Sequence, residues 1–117
     1  GHSLEWETAM NAINVNGTNF KEQVELANGP VLVDFWAPWC GPCRAMTGVV
    51  DEVAEAMDGQ ARVVKANVDE TGSAAARYGI QAIPAFLVLE GGEVKERLTG
   101  VVTRETILDA LRAHLSS

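Results

Sequence analysis

The chain is short of cysteine, histidine, aromatic residues and positive charge, and it has no long apolar run. Two cysteines in 117 residues exclude a disulfide-stapled scaffold, in which several bridges stand in for a small core. The two histidines, His2 and His114, lie at opposite ends of the chain and leave too few donors beside the cysteines for a four-ligand zinc site. No apolar stretch approaches the roughly 20 residues of a membrane-spanning helix. Lysine and arginine number 9 against 16 aspartates and glutamates, a formal net charge of −7, and they form no basic cluster. Nucleic-acid backbones and anionic membrane surfaces are therefore poor partners; other proteins or small thiols are better ones. The N-terminus, Gly1-His2-Ser3-Leu4-Glu5-Trp6-Glu7, lacks the positive segment leading into an apolar core that marks an export signal, so a cytoplasmic location is expected.

What the chain does have is enough apolar surface, 47% of residues, to bury a core without covalent help. Residues 1–10 sit poorly with the pattern that follows and are expected to be a tag or cleavage remnant with a flexible N-terminus, ahead of a single domain over residues 11–117. Ile13 to Val15 reads as a short strand. Asn16-Gly17-Thr18-Asn19 reads as a turn and N-cap before a helix that turns Phe20, Val24 and Leu26 inward. Val31-Leu32-Val33-Asp34-Phe35-Trp36 is nearly continuous in apolar residues, as a strand covered on both faces must be. Met46, Val49, Val50, Val53, Ala54 and Met57 recur at helical spacing and draw one apolar stripe, which Asp58-Gly59 ends. Ala61 to Val68 gives a further strand and Thr71 to Tyr78 a short helix closed by Gly79. Ala85–Leu89 and Val94–Leu98 flank Gly91-Gly92 as a hairpin. Thr103 caps a last helix whose Ile107, Leu108, Leu111 and Leu115 face the sheet. Tyr78, Phe20, Phe35 and Phe86 are expected in or near the core. The order β-α-β-α-β then α-β-β-α predicts one layered α/β domain.

Both cysteines fall in Trp39-Cys40-Gly41-Pro42-Cys43, where the apolar strand gives way to the helical stripe. Residues i and i+3 at a helix start lie about 5 to 6 Å apart, within the Cα separation a disulfide tolerates. The pair can therefore open and close. As a structural staple it would contribute little, because closing a loop of about four residues gives roughly 1.9 kcal/mol against about 4.7 for a 100-residue loop. The segment Val31-Leu32-Val33-Asp34-Phe35-Trp36-Ala37-Pro38-Trp39-Cys40-Gly41-Pro42-Cys43 resembles the active-site segment of the thioredoxin family. The resemblance extends through Val63 to Asp69, Tyr78-Gly79-Ile80, Ile83-Pro84, Gly92 and Gly100. It implies the thioredoxin fold, a central mixed five-stranded sheet flanked by four helices, two on each face.

At the helix start Cys40 meets unpaired N–H groups and the positive end of the helix dipole, so its thiolate is favoured. Cys40 is then the attacking thiol, and Cys43, one turn deeper and less exposed, the resolving one. Pro42 suits a first helical turn, which needs no donor there, and stiffens the ring. Asp34 is the informative polar residue, since an ionised carboxylate inside an apolar strand is costly and its pKa should rise. An exposed or capping aspartate is the alternative. The resemblance places Asp34 beneath Cys43 as a buried acid–base group, with Lys65 of the neighbouring strand tuning it; a solvated Lys65 is the other reading. It also assigns Ile83 and Pro84, the latter cis in the family, to backbone pairing with an extended substrate. Trp39, Gly41, Pro42, Ala82, Gly100 and Val101 complete the docking surface, and Trp36 packs beside the site.

The resemblance implies a general protein-disulfide reductase with no bound cofactor or metal. Electrons would come from NADPH through a thioredoxin reductase, substrates would be disulfide-containing proteins, and the chain would act as a monomer. Gly-Pro between the cysteines matches the reducing branch, where oxidases and isomerases commonly carry histidine. The alternatives are a thioredoxin-fold binding or accessory subunit, and an oxidase or isomerase. The chain departs from the family at Gly48, where a kinking proline is usual, which puts the usual helix bend in question. Ala82 and Ala85 stand where glycine and threonine often flank the Ile-Pro pair.

Overall fold

The apolar run beginning at Pro30 dictates the layout. In the computed structural model, which describes residues 12–115, strand β2 (Pro30–Trp36) is buried from Pro30 through Phe35. It is the middle strand of a five-stranded sheet of order β1-β3-β2-β4-β5. On one side β2 runs parallel to β3 (Arg62–Asn67), which runs parallel to β1 (Ile13–Val15); on the other, β4 (Ala85–Glu90) and then β5 (Glu93–Thr99) pair antiparallel. The register sets Asp34 opposite Lys65 on β3 and Phe86 on β4. Residues 1–11, and with them the expected N-terminal remnant, lie outside the described residues.

Strand alternation divides β2 between two layers. Val31, Val33 and Phe35 pack with Phe20 and Val24 of the first helical segment and with Ala74 and Ala75 of α4 (Gly72–Arg77). Leu32 packs instead with Met46, Val50, Val53, Ala54 and Met57 and with Ile107, Leu108 and Leu111 of α5 (Arg104–Arg112). Asp34 and Trp36 follow Leu32 at steps of two, so they project toward this second layer; the cysteines form a separate small cluster with Ala37.

The first helical segment, α1 (Lys21–Glu25), ends in a widened turn in which the Leu26 N–H reaches the Lys21 carbonyl at 2.9 Å. Phe20 and Val24 are buried, but Leu26 is 66% exposed, against the expectation that it faces inward. Two residues beyond Val24 is about 200° around a helix, the opposite side. The entry to α1 is fastened by Asn16, whose Oδ1 accepts from the N–H groups of Thr18 and Asn19, while Asn19 Oδ1 accepts from the Asn16 N–H.

The stripe expected as one helix is divided. α2 (Gly41–Ala45) and α3 (Thr47–Ala56) meet at Met46, whose N–H bonds the Cys43 carbonyl at 3.1 Å in a tighter three-residue turn. The stripe survives the break: Met46, Val50, Val53, Ala54 and Met57 are buried, with Val49 half-buried. The interruption makes five helical segments from the four helices expected, two packing units to each face. The interruption forms without a proline, with Gly48 two residues past it inside α3. Thr103 caps α5 as expected, its Oγ1 accepting from the Thr106 N–H at 3.1 Å. α5 ends at Arg112, leaving Leu115 half-buried beyond it. Phe20, Phe35 and Phe86 are buried; Tyr78 is half-buried, its hydroxyl donating to Glu25.

Candidate functional site

The cysteine ring hangs from the end of the central strand. After Trp36 the chain turns through Ala37, with the Cys40 N–H bonded to the Ala37 carbonyl at 3.1 Å, and α2 begins at Gly41 with Pro42 in its first turn. Cys40 occupies the cap position with extended backbone, and its sulfur accepts from the Cys43 N–H at 3.2 Å. Cys40 and Cys43 form a disulfide across a Cα separation of 5.3 Å. α2 is only five residues long and ends at the Met46 break, so any dipole it presents to Cys40 is weak beside this direct N–H contact. The cysteines are 6% and 4% exposed, so the expected difference in their exposure is slight. Ala37 completes the cluster, with Trp36, Val68 and Ile83 packed against it.

Beside the ring the Ile83–Pro84 peptide bond is cis, and the Ile83 carbonyl oxygen lies 3.9 Å from Cys40 Sγ. The Pro84 carbonyl accepts from the Gly100 N–H at 2.7 Å, and Gly100 has φ +86°, a conformation glycine reaches without steric cost. The structure therefore brings Cys40, Ile83, Pro84 and Gly100 together. Around them Gly41, Pro42 and Ala82 are exposed, and Trp39 and Val101 are apolar side chains open to solvent at 66% and 64%.

Asp34 is 3% exposed, and its Oδ1 has no hydrogen-bond partner among the described residues. Burial pushes its carboxyl from the ordinary 3.8 up to about 7, with the Lys65 charge pulling the other way. Lys65 is the register partner of Asp34 and is half-buried, with its Nζ 5.0 Å from the Trp36 ring centroid. It is thus neither a freely solvated lysine nor a closed ion pair. Trp36 is half-buried against the cysteine cluster.

Two side chains at the site went unmarked in the sequence. Asp69 accepts from the Trp39 indole N–H at 3.1 Å, with its other oxygen at 3.4 Å. Arg44 donates from Nη1 to the Pro38 carbonyl at 2.8 Å. Among the described residues no three His, Cys, Asp or Glu side chains gather as metal ligands, and His114 engages Glu96 at 2.9 Å.

A two-cysteine ring at the end of a central strand that itself holds a buried carboxyl group, beside a cis-proline loop, defines a thiol–disulfide oxidoreductase. The thioredoxin family model matches residues 11–113. Thioredoxin 1 of Nostoc sp. is 44% identical over 104 residues, 89% of this chain and 97% of that protein. The chloroplastic M-type thioredoxin of Spinacia oleracea is 43% identical over 103 residues, 88% of this chain and 57% of that protein. The solved structure of a mutant thioredoxin from Halobacterium salinarum superposes with a TM-score of 0.83 at 31% identity, covering 93% of this chain and 95% of that one. The chain belongs to the thioredoxin family, and its activity is protein-disulfide reduction, which in this family needs no bound cofactor. No helix among the described residues is long and apolar enough to cross a membrane.

Proposed function

We propose that Cys40 is the nucleophile and Cys43 the resolving thiol. The Cys40 thiolate attacks a substrate disulfide, forming a mixed disulfide and releasing one substrate sulfur as a thiolate. Cys43 then attacks Cys40, the Cys40–Cys43 bond forms, and the second substrate thiolate leaves. The observation that carries this reading is the contact from the Cys43 N–H to the Cys40 sulfur. It holds negative charge on Cys40 and fixes the two sulfurs of the final ring at bonding reach.

Asp34 takes the proton that Cys43 must lose before it attacks. A carboxyl group near pH 7 suits that exchange better than one fully ionised or fully protonated. Lys65 limits how far burial raises Asp34. The substrate chain lies against Ile83 and Pro84, in line with the Ile83 carbonyl lying beside Cys40 at 3.9 Å. Trp39, Gly41, Pro42, Ala82, Gly100 and Val101 supply the surface around it, consistent with Trp39 and Val101 being large apolar side chains open to solvent. In this reading the chain works as a cytoplasmic monomer. A thioredoxin reductase passes it electrons from NADPH, and disulfide-containing proteins take them; nucleic acid and membrane are not partners.

The test is a pair of single substitutions assayed on a disulfide-linked protein such as insulin. Cys40→Ser should abolish both reduction and covalent capture. Cys43→Ser should leave a mixed disulfide through Cys40 that persists until thiol is added. Capture by Cys40→Ser, with none by Cys43→Ser, would reverse the assignment.

A further inference from the structure

The cysteine ring is tied twice. The disulfide joins Cys40 to Cys43. A wider loop encloses it, running from Pro38 to Arg44 and closed without sulfur: Arg44 Nη1 donates to the Pro38 carbonyl at 2.8 Å, and the Arg44 N–H reaches the Cys40 carbonyl at 3.2 Å. The guanidinium crosses over Gly41, where Nη2 lies 4.0 Å from the position a Cβ would take. On the far side of the same loop Asp69 holds the Trp39 indole. Arg44 is exposed, so core packing does not impose this geometry. A planar guanidinium reaching a carbonyl in its own turn forgoes less side-chain freedom than a flexible ammonium would.

We propose that Arg44 is a positioning residue that keeps the Pro38–Arg44 segment in its ring geometry while the disulfide is open, and so sets how readily the dithiol closes. The proposal rests on Cys40 and Cys43 being the reacting pair. In the second half of the reaction Cys43 displaces the substrate sulfur from Cys40. One S–S bond forms as another breaks, the chain gives up two electrons, and the departing substrate thiolate takes up a proton from solvent. That step is intramolecular, so its rate and its equilibrium both follow the effective concentration of Cys43 at Cys40. Once the disulfide has opened, the Arg44 bridge remains to hold the two ends of the segment together.

A purely electrostatic role for Arg44 has the opposite consequence. A cation near the ring favours the thiolate-bearing reduced state, so removing it would make the disulfide easier to form and the potential more negative. Removing a clamp makes the disulfide harder to form and the potential less negative. The sign of the shift separates the two roles.

The experiment is a redox titration of wild type, Arg44→Met and, as a second variant, Arg44→Gln against glutathione, with the lifetime of the mixed disulfide and KM for a protein disulfide measured on the same samples. We expect the equilibrium constant for ring closure to fall five- to tenfold, an upward shift of about 20 to 30 mV. The mixed disulfide should persist longer in similar proportion, with kcat falling and KM unchanged. A potential that stays in place or moves downward overturns the clamp. A wild-type couple that fails to titrate between Cys40 and Cys43 would instead overturn the reacting pair on which the proposal stands.

Discussion

Asp34 shows how one side chain ties the chemistry of this fold to its stability. In the unfolded chain the carboxyl ionises near its ordinary 3.8, whereas in the folded protein burial holds its proton up to about pH 7. Between those values the folded state carries a proton the unfolded state has lost, so stability falls as pH rises. Above about pH 7 both states are ionised and the full cost persists. A separation of about three pKa units corresponds to roughly 4 kcal/mol. Asp34→Asn removes the ionisation while keeping the shape. In urea unfolding it should match wild type near pH 4 and exceed it by up to about 4 kcal/mol at pH 9; a difference that does not grow with pH would refute the burial argument. The same substitution should flatten the pH dependence of the resolving step. A buried carboxyl this costly is hard to explain as packing, and the proposed proton exchange with Cys43 would account for it.

At the scale of elements, the break at Met46 separates the short helix that carries the chemistry from the longer helix that carries the core. Gly48, just past the break, is exposed, has no positive φ, and would meet nothing within 4 Å if given a Cβ. Neither space nor backbone geometry requires glycine there. Gly48→Ala should therefore stabilise the protein by about 0.4 to 1 kcal/mol in thermal or urea unfolding without moving the redox potential. A loss of stability would mean that the junction depends on freedom that alanine removes. The sheet and its helices were legible in the sequence because they rest on apolar pattern: the short continuous run Val31–Trp36, rich in valine and aromatics, matched a covered central strand, and the Val50–Met57 stripe matched a buried helix face. Leu26 and the division at Met46 were not, since a single turn can widen or tighten without altering the spacing of the apolar residues around it. At the site, Cys40, Cys43 and Asp34 were legible because their chemistry is improbable in an inert strand and helix. The Trp39–Asp69 contact spans thirty residues and the Arg44–Pro38 contact depends on one rotamer. Neither leaves a mark in linear pattern. The cis state of Ile83–Pro84 was supplied by family resemblance, since most X-Pro bonds are trans.

Taken whole, the molecule carries a net charge of −7, which should steer it toward positively charged disulfide proteins. Screening lengths shrink from about 30 Å at 0.01 M salt to about 8 Å at 0.15 M. The rate constant kcat/KM for a basic disulfide substrate should fall on the order of tenfold over that range, while that for an acidic one should rise. Equal indifference to salt in both would leave recognition to the apolar surface around Trp39 and Val101 alone. The outermost strand of the hairpin, β5, adds a further consequence. Along it the exposed positions are Glu93, Lys95, Arg97 and Thr99, and such a charged border resists being extended by a neighbouring sheet. A protein-disulfide reductase oxidises one dithiol of its own for each substrate disulfide it opens, so between regenerations its capacity grows with the number of copies kept separate in a crowded solution. By refusing to zip together, that border lets concentration itself serve as the protein's capacity.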